Sequence, residues 1–251
     1  MSGPGTCASL AGRSWREAVV LSGRDPLVGQ HLSPAAVHEV HAGRADGGAW
    51  WAVRHGATPY FEHGGLVVGG DVAAVTAVVE ELCDRLRPAE VTVDAAVPLP
   101  FAHPDNGSLW AWRHTTRQLR AVPGEDRVRF DPATEALEEL LEAANPEAGL
   151  RPGSPGVLTW AAVADEDGTL LACGAARAHT PGVPHLSSIA VHPRARRQGL
   201  GAAVTVALVR RLLRTATAVS LALWAGNDAA RSLYDGLGFA GAPDYATRET
   251  V

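Results

Sequence analysis

The residues of this 251-residue chain best suited to chemistry lie close together, in the run V-H-P-R-A-R-R-Q-G-L-G-A-A at positions 191–203. An apolar stretch enters a turn carrying Arg194, Arg196 and Arg197, and the turn opens onto a helical pattern through Gly199 and Gly201. Glycines at a helix start let a ligand reach the backbone, where unpaired N–H groups and the positive end of the helix dipole favour an anion. Guanidinium groups beside them add charge-assisted hydrogen bonds that match phosphate geometry. The turn is therefore expected to hold a phosphate or diphosphate. A glycine pair alone is weak grounds for this, since structural turns use it too.

Other chemistries are excluded by composition. All 22 basic residues are arginine, so neither a Walker A lysine nor a Schiff-base lysine is available. The formal net charge of -5 shows no basic footprint for nucleic acid. Cys7, Cys83 and Cys173 are odd in number and lack paired C-x-x-C spacing, which argues against a disulfide framework or a cysteine zinc site. His38 and His41 in H-E-V-H are three apart instead of the four of a zinc-binding helix, and no metal site is expected. No apolar run approaches the ~18 residues of a membrane span, and the first residues lack the layout of a secretory signal. A soluble, cytoplasmic protein is expected, with no nucleic-acid or membrane partner and with a homodimer left open.

The elements that must position the turn follow from periodicity. Residues up to about 30 read as a loosely held lead-in, and Ser33-Pro34 suggests a modest helix over 33–41. Strand candidates at 49–54 and 60–68 precede an amphipathic helix over 71–86, with Val75, Val78, Val79 and Leu82 on one stripe, and a short strand at 91–95. Residues 98–107 carry too many prolines and turn formers for regular structure. Trp110 and Trp112 alternate on an extended piece; core packing is the ordinary reading and an aromatic ligand wall the sharper one. A second extended piece follows at 115–122.

A domain boundary near Arg113 divides 1–112 from 113–251. Beyond it come a helix over 131–144, strands at 157–163 and 169–176 joined by D-E-D-G, and a strand at 185–191. A helix over 198–214, a strand at 218–223, a helix over 228–237 and a strand from Phe239 complete the order. Leu200, Ala203, Val204, Ala207 and Leu208 would face a sheet. The alternation predicts an α/β (α+β) fold.

The order strand, R-R-Q-G-L-G, helix, strand, W-A-G-N, then A-A-R-S-L-Y-D-G-L-G-F resembles the GNAT superfamily of N-acetyltransferases. The likeness covers about 115–245 and is sharpest over 184–239. It implies a mixed central sheet flanked by helices, with acetyl-CoA as acyl donor lying between the domain's fourth and fifth strands. It further implies that Arg196, Arg197, Gln198, Gly199, Leu200, Gly201 and Ala202 hold the pyrophosphate. Backbone groups of Ile189, Ala190 and Val191 would hold the pantetheine, with further contacts from Asn227 and Ala230. Asn227 is also a good helix N-cap in its own right.

The same resemblance implies that the Tyr234 phenol, whose ordinary pKa is near ~10, protonates the departing thiolate; read alone, Tyr234 is a core aromatic. Direct transfer needs a neutral amine, hence a base or water chain to take a proton. His185 is the candidate, because H-L-S-S-I-A-V-H is similar to a strand of an amine-acetylating relative with two histidines two residues apart; here the second position is Ser187. The expected function is transfer of an acetyl group to a primary amine, on a small molecule or a protein N-terminus, in a ternary complex. A non-catalytic acyl-CoA sensor is the alternative. Residues 1–112 echo the same strand, helix, strand order without the arginine turn, which suggests a degenerate GNAT-like domain.

Overall fold

A computed structural model describes residues 10–12, 14–32, 34–57, 64–99 and 107–250. Cys7, most of the 98–107 loop and the start of the expected 60–68 strand lie outside the described residues. The elements are β1 (Leu10–Gly12), α1 (Trp15–Leu21), α2 (Pro26–His31), β2 (Val37–Ala45), β3 (Gly48–His55), β4 (Gly65–Gly70), α3 (Val72–Leu86), β5 (Glu90–Asp94) and β6 (Gly107–Thr115). There follow β7 (Arg129–Phe130), α4 (Thr134–Ala144), β8 (Val157–Ala164), β9 (Leu170–Thr180), β10 (Val183–Val191), α5 (Leu200–Leu212), β11 (Val219–Trp224), α6 (Asp228–Leu237) and β12 (Ala240–Glu249). The chain forms two compact units. One comprises Met1–Trp112 with Leu223–Asn227 and Ala242–Val251, and the other Arg113–Ala222 with Asp228–Gly241. Neither is a single continuous segment of chain.

In the first unit β1 to β4 pair antiparallel in chain order, α3 crosses over, and β5 lies parallel to β4. β12 then pairs antiparallel with β5, Tyr245 to Asp94 through Glu249 to Glu90. The apolar stripe of α3 drives this arrangement. Val75, Val78, Val79 and Leu82 bury against Trp50, Leu66, Val68, Val91 and Val93. Arg87 ends the helix in a left-handed conformation, φ 47°, with its N–H closing on Cys83 O.

Two expectations for this unit are corrected. The lead-in is helical: Ser14 caps α1, its hydroxyl accepting the Glu17 N–H and donating to the Glu17 carboxylate, and Asp25 caps α2 through the Leu27 N–H at 2.8 Å with Pro26 in the first turn. The helix over 33–41 is instead a short turn at 34–36 followed by β2. A register shift between Val37 and Glu39 inserts an extra residue, so the buried Val37 and Val40 fall three apart and mimic helical spacing.

In the second unit the sheet order is β11-β10-β9-β8-β7, antiparallel except for the parallel β10–β11 pair that α5 connects. The D-E-D-G turn closes the β8–β9 hairpin as the Asp165 carboxylate accepts the N–H groups of Asp167 and Thr169. Leu137, Leu140 and Leu141 of α4 bury against Trp160, Cys173, Ala175 and Ala190. All five residues expected to turn α5 toward a sheet are buried. The extended piece over 115–122 does not form beyond Thr115, whose hydroxyl accepts the Arg117 N–H and donates to its carbonyl, turning the chain. β2-β3-β4-α3-β5 and β8-β9-β10-α5-β11 thus share one order of antiparallel strands, crossover helix and parallel strand.

Gly70 shows how tightly the first unit is closed. At φ +123° a Cβ here would stand 2.2 Å from the Ala49 carbonyl oxygen, a backbone atom with no rotamer to change. Gly70→Ala should cost about 3 kcal/mol in urea-induced unfolding, whereas alanine at the open Gly47→Ala site should cost less than about 1–3 kcal/mol even at positive φ.

Candidate functional site

Three pieces of the second unit converge: the end of β10, the start of α5 and the middle of α6. The β9–β10 register passes from Ser187↔Ala175 to Ala190↔Cys173, so Ser188 and Ile189 oppose Gly174 alone. This is a β-bulge, and Ser188 adopts φ 52° within it. The Ile189 side chain fills the space above Gly174, where an added Cβ would lie 2.3 Å from its Cδ1. On its other edge β10 pairs with β11 at His185↔Ser220 and Leu186↔Leu221. That pairing lies before the bulge, whereas Ile189 lies within it and Val191 beyond it.

The chain then turns into α5 through two left-handed residues, Arg197 at φ 65° and Gly199 at φ 77°. Such a turn aims successive N–H groups toward one point and makes an anion-binding concavity. The first helical bond runs from Ala203 N–H to Gly199 O, so the N–H groups of Leu200, Gly201 and Ala202 precede the ladder. Nothing lies within 4 Å of where a Gly199 Cβ would stand. Gly201 faces Val191 and Leu233, at 3.5 and 3.7 Å from its own virtual Cβ, which brings β10, α5 and α6 together. Arg196, Arg197 and Gln198 are exposed, Leu200 is buried, and Gly201 and Ala202 are half-buried. Backbone and guanidinium donors around an open concavity fit a diphosphate. Arg194 is engaged elsewhere, in an ion pair with Asp165 at 2.6 Å. His192 accepts the Arg194 N–H and serves the local turn.

Tyr234 is 7 % exposed and meets Phe239 edge to face at 5.7 Å. Burial pushes its phenol up to about 12, so it stays protonated through the neutral range. Ala230 is half-buried on the same helix. Asn227 immediately precedes α6, is exposed, and donates its N–H to Trp224 O at 2.9 Å. His185 is 1 % exposed; its Nδ1 lies 3.0 Å from Ser220 Oγ, and its ring packs against His179 at 5.4 Å. Beneath the bulge Cys173 points its thiol at Ser188 O, and burial pushes it up to about 12.

Sequence reasoning missed two supports of this site. Ser188 reads as an ordinary strand residue, because a bulge leaves no periodic signature. Arg113, almost wholly buried, donates its Nε to Asp235 at 2.8 Å, next to Tyr234. Asp235 stands near the C-terminal end of α6, where a carboxylate is unfavourable with the helix dipole, and Arg113 supplies the compensating cation. A carboxylate near an otherwise uncompensated helix end was the available signal.

The start of α3 in the first unit is the electrostatic opposite. Asp71 precedes α3, and its carboxylate accepts the Ala49 N–H at 2.8 Å, placing a negative charge where the equivalent turn before α5 carries arginines. Among the described residues, no three His, Cys, Asp or Glu side chains gather as a metal site, and no helix is long and apolar enough to cross a membrane.

Residues 126–239 match the sequence profile of the Acetyltransferase (GNAT) family. This segment is a GNAT acetyltransferase domain. Solved structures share the fold. A GCN5-related N-acetyltransferase from Sphaerobacter thermophilus aligns at 17% identity with a TM-score of 0.51, covering 96% of this chain and 95% of that one. A GNAT-family acetyltransferase from Novosphingobium aromaticivorans aligns at 17% identity with a TM-score of 0.50, covering 80% and 89%. No curated protein sequence matches the chain significantly.

The elevated Tyr234 phenol has a measurable consequence. Its folded pKa lies above the ordinary value, so its contribution to stability is complete below pH ~10 and lost as pH rises toward about 12. The wild-type minus Tyr234→Phe difference in phenolate absorbance should stay flat to about pH 11, and shift to the ordinary range near ~10 when the protein is unfolded.

Proposed function

We propose that the GNAT domain transfers an acetyl group from acetyl-CoA to a primary amine, on a small molecule or a protein N-terminus, by direct attack in a ternary complex. The observation that carries this reading is the convergence of Val191, Gly201 and Leu233. It sets the bulged strand, the anion-binding turn and the tyrosine helix around one point. Bound there, acetyl-CoA supplies an activated thioester.

The N–H groups opening α5, with Arg196 and Arg197, hold the diphosphate. Backbone groups of Ile189, Ala190 and Val191 hold the pantetheine, with Asn227 and Ala230 as further contacts. Tyr234 donates its proton to the departing thiolate. A phenol near 12 is a weak acid for that task in water, but a thiolate leaving into an apolar site is itself made more basic. His185, oriented by Ser220, takes the proton lost by the attacking amine through water, since the ring itself is 1 % exposed. The first unit is read as a GNAT-like half that does not bind donor, because Asp71 opposes an anion at the start of α3.

Acyl-CoA-dependent thiol release across a panel of amines, with product masses, tests this function. Tyr234→Phe should lower kcat about 100-fold with the donor KM within a few-fold, and Arg196→Ala with Arg197→Ala should raise the donor KM about 10- to 100-fold. Calorimetry should give one acetyl-CoA per chain. Tight binding without product from any amine would instead favour a non-catalytic acyl-CoA sensor.

A further inference from the structure

We propose that Ser188 is a positioning residue: its hydroxyl clamps the connection between α4 and β8 (residues 145–156) to the β10 bulge, and so sets the direction of the bulge's backbone groups at the donor site. This rests on the donor-site reading above, and extends it to a residue and a loop which that reading does not use.

Both arms of one hydroxyl serve one partner. Ser188 Oγ accepts the Leu150 N–H at 3.2 Å and donates to the Leu150 carbonyl at 2.8 Å. Ser188 is 9 % exposed and Leu150 1 %, so water competes little for either bond. The Ser188 carbonyl in turn faces the Cys173 thiol at 3.9 Å. Side chain and carbonyl are therefore both committed inward. The neighbouring Ile189 has no register partner on β9, so the direction of its peptide groups is set by how Ser188 is held.

The loop end of the clamp is fixed independently. Leu150 packs in the cluster of Leu137, Leu140, Trp160 and Ala190, so loop and bulge are held by the same core. The strained backbone explains the choice of residue. Ser188 sits at φ 52°, where non-glycine residues are uncommon. Glycine would adopt this conformation freely but leave the Leu150 N–H and carbonyl without partners in the core. Alanine would keep the strain and lose the bonds. Serine is the smallest side chain that both donates and accepts.

The test compares wild type with Ser188→Ala, Ser188→Gly and Leu150→Val, the last of which trims packing while keeping the backbone groups that Ser188 holds. In ligand-free protein, amide exchange over 145–156 and 183–191 should speed up about tenfold or more in both Ser188 variants and remain near wild type in Leu150→Val. In turnover with acetyl-CoA, both Ser188 variants should lose about tenfold in kcat with the donor KM within about threefold, because misdirected backbone groups cost transition-state contacts more than binding. Wild-type exchange and kcat in Ser188→Gly would overturn the proposal, as would an equal kcat loss in Leu150→Val. If the wild type turns over no amine, the functional reading fails while the exchange measurement still decides the clamp.

Discussion

One interruption in a hydrogen-bonded ladder governs the second unit. Ser188 and Ile189 stand opposite the single residue Gly174, and beyond that point β10 cannot keep the register it held at Leu186. A regular strand would commit its N–H and C=O groups to its neighbours, leaving nothing for a ligand. The bulge interrupts that pairing near the end of the strand that leads into the arginine- and glycine-rich turn. Much of the nearby sequence accommodates it: Gly174 yields space to Ile189, Cys173 lies beneath, and Val204 of α5 approaches the same point.

The two units share one order of elements and differ at the start of the crossover helix. Both run antiparallel strands into a crossover helix and a parallel strand, and a helix start always offers unpaired N–H groups. Charge separates them. Before α5 the chain supplies Arg196, Arg197 and an open Gly199; before α3 it supplies Asp71, which turns its carboxylate back onto the Ala49 N–H. Neither helix start receives a side-chain cap, so the charge beside it is what differs.

What could be read in the sequence was what is local. Helices α3 to α6 carry stripes of three- and four-residue spacing, and the arginine- and glycine-rich turn is contiguous, so each was visible without knowing any partner. β2 was misread because its register shift spaces Val37 and Val40 like a helix. The side-chain caps of α1 and α2 were overlooked because glycine, serine and proline around them suggested a loose segment. Among candidate site residues, the positions around α5 follow from local pattern, while the environment of His185 does not: its burial and its bond to Ser220 join strands 35 residues apart. Ser188 was beyond reach for the same reason, since Leu150 is 38 residues away.

β12 carries a consequence for biogenesis. It completes the sheet of the first unit against β5, yet a ribosome makes it only after the whole of Arg113–Ala222. Domains generally fold in the order of their synthesis. Here the edge of β5 must wait for a strand that follows the main segment of the second unit. Until then β5 offers unpaired N–H and C=O groups to any other extended chain. The nascent protein thus passes through a stage in which its earlier unit is incomplete and open to mispairing or chaperone capture.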